Sequence, residues 1–416
     1  MTNTRSAARL AARSGASLIL IAAAIVLSSH VGQAHKAVTS KYTYNDDVFP
    51  IFREKCTPCH VEGGVAPMSL MTYELAFPWA ESIRAELIAS HMPPWNADEG
   101  VGAFKHARRL TPKEIDVILT WATGGNPKGQ IDQEVPKVPL KNDWTMGKPD
   151  VALPLPSFTL DANTMEATQE FTMASGLTSQ RWLRAADLLP GTPSIVRSAT
   201  IVAKDAASPA NGPSPDRVLA EWVPGEQRNE ADGAGGAAFR LPAGAQIGVR
   251  VHYKKTWQFD GKQMSDHSTV GLYFADQQSG RELLAVPIAA PADATPKDQM
   301  IAFSQAIAQD VDALAIVPEQ VPPNIVLSAD AVLTNGTRVP LIRLNTRADW
   351  VRRYWFEKPI ALRRGSRIDV VAKLEDPDLL SSAFSVGTPK PVAAAPIRLR
   401  LDVIPDRNAP PAAPAR

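Results

Sequence analysis

The chain has 416 residues, enough for two or three domains, and 44% hydrophobic with 21% charged residues is the composition of a folded protein. Its net charge is +1, so no overall field attracts nucleic acid or an anionic membrane surface. The 36 prolines argue against a long helical bundle, because proline interrupts helices, and two cysteines exclude a disulfide-rich scaffold.

The first 34 residues have the pattern of a secretory signal peptide. Arg5, Arg9 and Arg13 form a basic start, an apolar run covers 18–27, and small residues precede the end of the segment at Ala34. The run is shorter than the roughly 20 apolar residues that a membrane-spanning helix needs. We therefore expect cleavage after Ala34, export to a bacterial periplasm, and no integral membrane segment in the mature chain.

Both cysteines lie in the sequence CTPCH (56–60). Two thiols at this spacing can add to the two vinyl groups of a haem, and the adjacent imidazole then faces the iron. A structural zinc site would need further Cys or His ligands at suitable spacing, and a thioredoxin-like pair would follow a strand, whereas 48–55 has the pattern of a short helix. We therefore predict one covalent haem c on Cys56 and Cys59, with His60 as an axial ligand of its iron.

The second axial ligand must come from a later residue. Two prolines in the sequence HMPP (91–94) end a helical pattern and hold the chain extended. Such a stiff loop presents a thioether at a fixed position, which favours Met92. His91, Met68 and Met71 remain alternatives. Methionine ligation gives six-coordinate iron that transfers electrons, whereas a haem-based sensor would need an open position at the iron.

Two further helices are predicted in this part of the chain. Helical periodicity covers 78–90 and 112–123, and Thr111 is the expected N-cap of the second helix. The stretch from Tyr44 to Gly129 resembles the small cytochrome c domain of many exported bacterial proteins. The matching segments are DVFPIFREKCTPCH, APMSLMTYELA, HMPPW and RRLTPKEIDVILTWATGGNPKG.

This resemblance implies an all-α domain with a specific set of haem ligands. Covalent haem is implied on Cys56 and Cys59, with His60 and Met92 as the axial ligands. The implied role is electron transfer, and the partner would be a periplasmic redox protein.

The remainder of the chain has the pattern of β-strands. After a proline-containing, charged linker, apolar and polar residues alternate in short runs between turn sequences, as in an antiparallel sandwich or jelly roll. The clearest runs are 194–203, 245–253, 268–275, 326–333, 367–374 and 397–404. This region is long enough for two such domains.

The expected fold class is therefore multidomain α + β, with an N-terminal all-α cytochrome c domain followed by two antiparallel β-sandwich (jelly-roll) domains. The expected boundaries are signal peptide 1–34, cytochrome c domain 35–130, linker 131–147, first sandwich 148–286, second sandwich 287–405 and a disordered tail 406–416.

The order of several later segments is similar to the copper type II, ascorbate-dependent monooxygenase family, which includes peptidylglycine α-hydroxylating monooxygenase. The segments that match its first jelly roll are WTMGKPD, LRAADLLPGTPSIV, EWVPG, FRLPAGAQIGVRVHYK and SDHSTVGLYF. Those that match its second are LAIVPEQ, NGTRVPLIRL and DWVRRYWFEKPIALRRGSRIDVVAK. The resemblance implies two copper sites, one held by three histidines and the other by a His-x-His pair and a methionine.

The sequence departs from this family at nearly every copper ligand. Arg197 and Ser198 stand at the paired histidines of the first site, and only its third ligand is present, as His252. The His-x-His pair falls on about 319–321, and no histidine follows His267. Copper needs imidazole, thioether or thiolate donors, and arginine offers no lone pair. We therefore expect no tightly bound copper, and His252 is at most a vestigial copper ligand.

Together these patterns predict a periplasmic c-type cytochrome that carries one covalent haem for electron transfer to or from a redox partner. Its copper-less, monooxygenase-like sandwiches would form a module for docking or binding. The protein would then be an electron carrier without catalytic residues. The alternative is a copper type II monooxygenase that receives electrons from its own cytochrome domain.

Overall fold

In the computed structural model, 43% of the described residues lie in strands and 14% in helices. The described residues are 39–130, 134–204, 217–225, 236–275, 281–294, 297, 300–322, 325–345, 352–374 and 397–406. The predicted signal peptide (1–34) lies outside them, as does the predicted tail beyond residue 406. None of the helices in these ranges has the length and apolar character needed to cross a bilayer.

Two facing β-sheets, which we call the first sandwich, occupy residues 151–282. Their strands are β1 (Val151–Pro154), β2 (Phe158–Leu160), β3 (Glu166–Ala174), β4 (Arg181–Leu189), β5 (Val196–Lys204), β6 (Arg217–Trp222), β7 (Ala237–Leu241), β8 (Gln246–Lys254), β9 (Met264–Asp266), β10 (Thr269–Phe274) and β11 (Arg281–Glu282). One sheet has the order β1-β10-β4-β7-β11 and the other β3-β8-β5-β6, while β2 pairs with β9. All pairs are antiparallel except β7 with β11.

Two further sheets form the second sandwich. Their strands are β12 (Leu284–Ala289), β13 (Met300–Ala306), β14 (Val311–Gln320), β15 (Ile325–Val332), β16 (Arg338–Asn345), β17 (Tyr354–Leu362), β18 (Arg367–Leu374) and β19 (Arg398–Pro405). The sheet orders are β12-β19-β14-β17 and β13-β18-β15-β16, with antiparallel pairing throughout. Because β12 already pairs with β19, the change from one sandwich to the next falls just before the predicted junction at 287.

Alternating side chains place one face of each strand in a core. In β15, for example, Ile325, Leu327 and Ala329 are buried and the residues between them are half-buried. All six alternating runs singled out in the sequence are strands, namely β5, β8, β10, β15, β18 and β19. The two sandwiches are in apolar contact, because Leu314 and Trp355 of the second pack in the core of the first.

Short helical segments precede the sandwiches. A π-helical turn at Tyr44–Val48 leads into the helices, and a 3₁₀ turn covers Phe77–Trp79. The helices are α1 (Phe49–Lys55), α2 (Tyr73–Ala76), α3 (Ala80–Ile88) and α4 (Pro112–Thr123). The predicted N-cap is confirmed, since the Thr111 hydroxyl accepts from the Glu114 N–H and the Glu114 carboxylate accepts from the Thr111 N–H.

The predicted fold class is wrong, because these segments do not form an N-terminal all-α cytochrome c domain. The four helices have only 4 to 12 residues each, and the described chain is mostly β-sheet. Five prolines between residues 58 and 94 keep helices short, since each removes a backbone N–H. Helices of this length bury too little surface to be stable alone and depend on packing against other elements.

The segment between α3 and α4 is joined to the second sandwich through its backbone. Ala97 forms a β-bridge with Leu344 of β16, and Phe104 forms one with Phe356 of β17. The Lys105 N–H also donates to the Trp355 carbonyl oxygen at 2.8 Å. The helical part of the chain is therefore hydrogen-bonded to β16 and β17, which lie much later in the sequence. A separate domain would not form such backbone pairs.

A buried arginine joins the two sandwiches. Arg353, which precedes β17, is only 2% exposed, and its guanidinium donates to the carbonyl oxygens of Leu219 (2.8 Å) and Val218 (3.0 Å) in β6. Its Nε lies 2.7 Å from Oδ2 of Asp402 in β19, and the other oxygen of Asp402 accepts from Arg400 at 2.8 Å. Loss of this guanidinium would leave a buried carboxylate and two buried carbonyls with fewer partners.

Replacing Arg353 by methionine should therefore lower the free energy of unfolding by about 3–5 kcal/mol, the usual cost of removing one partner of a buried ion pair. Urea denaturation followed by tryptophan fluorescence measures the change. The matched control is Arg250→Met, which breaks the exposed pair of Arg250 with Glu170 (2.8 Å) and should cost about 1 kcal/mol or less. Equal losses in the two variants would contradict the assigned role of Arg353.

Candidate functional site

A cavity of about 340 Å³ lies where the helical segments meet both sandwiches. This volume is at the lower end of the roughly 300–1,000 Å³ of small-molecule sites. Its walls are mainly apolar and come from α1, α3, α4 and the loops between them. The first sandwich contributes Arg197, Val223 and Pro224, and Arg352 comes from the residues just before β17 of the second. Three parts of the chain therefore enclose one cavity.

The sequence CTPCH follows α1 directly and lines this cavity. The N–H groups of Cys59 and His60 both donate to the Cys56 carbonyl oxygen, at 3.1 and 2.9 Å. This tight turn brings both cysteines and the histidine to the same wall. The two cysteines are not bonded to each other. The structure thus brings together the three residues predicted to hold a haem.

A backbone carbonyl fixes the orientation of His60. The residue is 9% exposed, and its Nδ1 lies 3.1 Å from the Met68 carbonyl oxygen. Because a carbonyl oxygen only accepts, Nδ1 carries the hydrogen, and Nε2 keeps its lone pair for a metal ion. Burial lowers the pKa of His60, and the positive charge of Arg197 lowers it further, so the imidazole is neutral at pH 7.

Burial also keeps the two thiols neutral. It raises the pKa of Cys56 to about 12. Burial raises the pKa of Cys59 as well, although the guanidinium groups of Arg108, Arg197 and Arg352 act in the opposite direction. Since the thiolate is the reactive form of cysteine, the folded chain holds both thiols in their less reactive state.

Two of the four candidates for the second axial ligand lie outside the cavity. Met71 is buried in the core of the helical segments, where its sulfur accepts from the Thr57 hydroxyl at 3.2 Å. His91 lies at the surface, and its Nδ1 is 3.1 Å from a carboxylate oxygen of Glu86. The placement of these two side chains therefore favours the remaining methionines.

Met68 and Met92 both line the cavity. The carbonyl oxygen of Met68 contacts His60 at Nδ1, so the Met68 backbone lies behind the imidazole. Met92 lies on the loop after α3, in a different part of the cavity wall. This placement favours Met92 over Met68 as the second residue that would hold the iron.

The first sandwich packs directly against the CTPCH turn. Gly225, in the turn after β6, has a φ of +68°, and a Cβ at this position would lie 2.1 Å from Cβ of Pro58. A side chain would thus clash here as well as strain the backbone. The turn after β6, part of the segment EWVPG, therefore lies against the motif with no room for a side chain between them.

The residues that the monooxygenase resemblance assigns to the first copper site have other neighbours in the structure. His252 in β8 and Ser198 in β5 are cross-strand neighbours, and Arg197 lies in a β-bulge beside them. Nε2 of His252 is 2.7 Å from a carboxylate oxygen of Glu166, which also pairs with Lys254. Across the described ranges, no three His, Cys, Asp or Glu side chains cluster as metal ligands would.

The second copper position carries different chemistry. Residues 319–321 lie at the end of β14 and just beyond it. A carboxylate oxygen of Glu319 accepts from Nη1 of Arg400 at 2.5 Å. A salt bridge is therefore present where the resemblance implies imidazole ligands.

Sequence reasoning missed several residues that enclose the cavity. Arg108, Arg352 and the Val223–Pro224 pair lie in segments that the two resemblances include, but no residue type or spacing marked them as neighbours of CTPCH. The last three come from loops far along the chain. The one indication in the sequence was Arg197, a cation at a position where the resembling family has a metal ligand.

No family model matches this chain, and no curated protein sequence matches it. A structure of allantoicase has 12% identity over 51% of this chain and 76% of its own, with a TM-score of 0.16. A quasi-atomic model of the PBCV-1 virus capsid has 7% identity over 62% of this chain and 96% of its own, with a TM-score of 0.24. A subviral particle of infectious bursal disease virus VP2 has 11% identity over 64% and 74%, with a TM-score of 0.17. Likenesses this weak carry no argument about fold or function.

In protein produced without haem, the cysteines should be alkylated slowly. At pH 8 a pKa of about 12 makes the thiolate fraction of Cys56 on the order of 10³-fold smaller than that of an ordinary cysteine. The higher nucleophilicity of a more basic thiolate offsets part of this, so alkylation by iodoacetamide should be about 10²-fold slower in folded protein than in guanidinium. Mass spectrometry of the cysteine peptide over time gives both rates, and equal rates would contradict the burial of the thiols.

Proposed function

We propose that this protein is a periplasmic c-type cytochrome that binds one haem covalently through Cys56 and Cys59 and transfers electrons to or from a redox partner. The observation that carries the proposal is one apolar cavity lined by both cysteines, His60 and Met92. The signal-peptide pattern of residues 1–34 supports export.

The residues of the cavity fit a covalent haem. The two thiols are the groups that would form thioether bonds, and Nε2 of His60 and the sulfur of Met92 are the groups that would ligate the iron. A haem bound there supplies a one-electron couple. The apolar walls exclude water, and Arg197 and Arg352 add positive charge beside the site. Both effects disfavour the more positive, oxidised state and should raise the reduction potential.

An electron carrier is favoured over a copper enzyme by the chemistry at the former ligand positions. Arg197 and Ser198 offer no imidazole, and His252 is engaged by Glu166. Because copper supplies the reaction chemistry in the resembling family, loss of its ligands removes the activity while the sheets remain. The sandwiches then serve as the cover of the haem site and as a surface for docking a redox partner.

Expression in a bacterial periplasm together with a haem-maturation system tests the proposal. We expect one haem per chain that stays attached on a denaturing gel, and no attached haem when Cys56 and Cys59 are both replaced by alanine. Metal analysis after copper loading should find one iron and no tightly held copper. Wild-type protein without attached haem would overturn the proposal, and two tightly held copper ions would support the monooxygenase alternative.

The variant Met92→Leu should keep the covalent haem but lose the far-red absorption band that reports iron–sulfur ligation. Its midpoint potential should also fall, because methionine ligation raises the potential of a haem. Met71→Leu is the matched control, since Met71 lies outside the cavity, and it should retain the band. Loss of the band in Met68→Leu instead would identify Met68 as the ligand.

A further inference from the structure

A second cavity, of about 540 Å³, opens between the two sandwiches, and we call it the inter-sandwich cleft. It shares no lining residue with the cavity beside CTPCH. Residues of β6, β7, β12, β14 and β19 line it, so both sandwiches contribute. One part of the wall is apolar, with Phe239, Leu283 and Pro287, and the rest is rich in arginine.

One group of charges in the cleft is balanced. Arg400 pairs with Asp402 at 2.8 Å and with Glu319 at 2.5 Å, and Arg353 pairs with Asp402 at 2.7 Å. Two guanidinium groups thus face two carboxylates. The buried carboxylate of Glu221 also acts on Arg400, so this polar floor of the cleft carries no positive surplus.

The other arginines of the cleft leave a positive surplus. Arg217 and Arg240 share a single carboxylate, that of Glu282, at 3.2 and 3.5 Å. Arg398 lies in the same wall, and no acidic side chain among the described residues pairs with it. Among the described residues, these three arginines exceed Glu282 by two charges, and the additional carboxylate of the floor, Glu221, offsets one of them.

Two buried N–H groups at the cleft have no hydrogen-bond acceptor among the described residues. They are Nη2 of Arg400, a residue only 5% exposed, and Nε of Arg217. A buried donor without an acceptor is destabilising, and native proteins normally satisfy such groups with water or other polar atoms. Oδ2 of Asp402 in the same wall also has no hydrogen-bond donor within the described ranges, so the buried groups offset one another in part. The exposed arginines at the rim give the cleft a positive potential, which favours a negatively charged ligand.

We propose that the inter-sandwich cleft binds a small organic carboxylate with an apolar body. The carboxylate accepts hydrogen bonds from the exposed guanidinium groups of Arg240 and Arg398, whose planar geometry matches it. The apolar body packs against Phe239 and Leu283. The volume lies within the roughly 300–1,000 Å³ of small-molecule sites. Glu319 and Asp402 in the same wall repel additional negative charge, which favours a monoanion over a phosphate. This site does not depend on the proposed haem.

Calorimetric titration of the purified full chain with naphthalene-2-carboxylate tests the proposal. Naphthalene-2-carboxamide is the matched probe, because it has nearly the same shape without the charge. We expect saturable binding of the carboxylate, and binding of the amide that is weaker by about tenfold or more, the effect of one charge-assisted hydrogen bond. The proposal would be overturned if the carboxylate shows no saturable binding, which is expected of a cleft that holds only water. Equal affinity for the two probes would also overturn it.

Two exposed arginines allow a test that spares the buried network. Arg240→Met and Arg398→Met remove charge from the rim, where the Arg240 side chain is 54% exposed, so the fold should persist. Each should weaken carboxylate binding by about tenfold. Arg338→Met is the control, because Arg338 pairs with Asp330 and Asp369 outside the cleft, and it should leave the affinity unchanged. Unchanged affinity in both rim variants would overturn the proposal.

Discussion

The buried guanidinium of Arg353 is the contact on which the arrangement of both cavities depends. It binds the backbone of β6 on one side and Asp402 of β19 on the other. Strand β6 continues into the turn that covers the CTPCH sequence, and the neighbouring Arg352 lines the same cavity. Asp402 meanwhile belongs to the wall of the inter-sandwich cleft. One polar contact in an apolar junction therefore sets the geometry of two separate sites.

The charge of Arg197 determines part of what the first sandwich contributes to the helical segments. An imidazole at position 197 could hold a metal ion, whereas the guanidinium of Arg197 places a fixed positive charge beside Cys59 and His60. In this chain the sheet therefore acts on the cavity through its electrostatic field and by excluding water. Such a field can adjust a redox couple without any second metal centre.

Local patterns in the sequence predicted individual strands and helices better than they predicted how these elements pack together. Alternation of apolar residues identified six strands, and the Thr111 cap identified the start of α4. The spacing of the cysteines and histidine was enough to identify CTPCH as a candidate haem-attachment site. The two prolines after Met92 distinguished this residue from the other candidates for the second axial ligand. The fold class failed because short amphipathic helices have the same pattern whether they form a domain or pack on sheets. The position of Arg352 in the cavity wall could not be predicted. It depends on tertiary packing, and no local sequence pattern indicates that Arg352 lies near residues 56–60.

The pairing of residues 95–105 with β16 and β17 has a consequence for the order of folding. Contacts between distant parts of a chain form slowly, because the intervening loop must first be closed at a cost in entropy. During synthesis the CTPCH sequence emerges long before these two strands and before Arg352. Its thiols therefore stay accessible to other molecules until the last strands are in place. The cavity therefore closes late in folding. A group that binds inside it must enter before the last strands have packed.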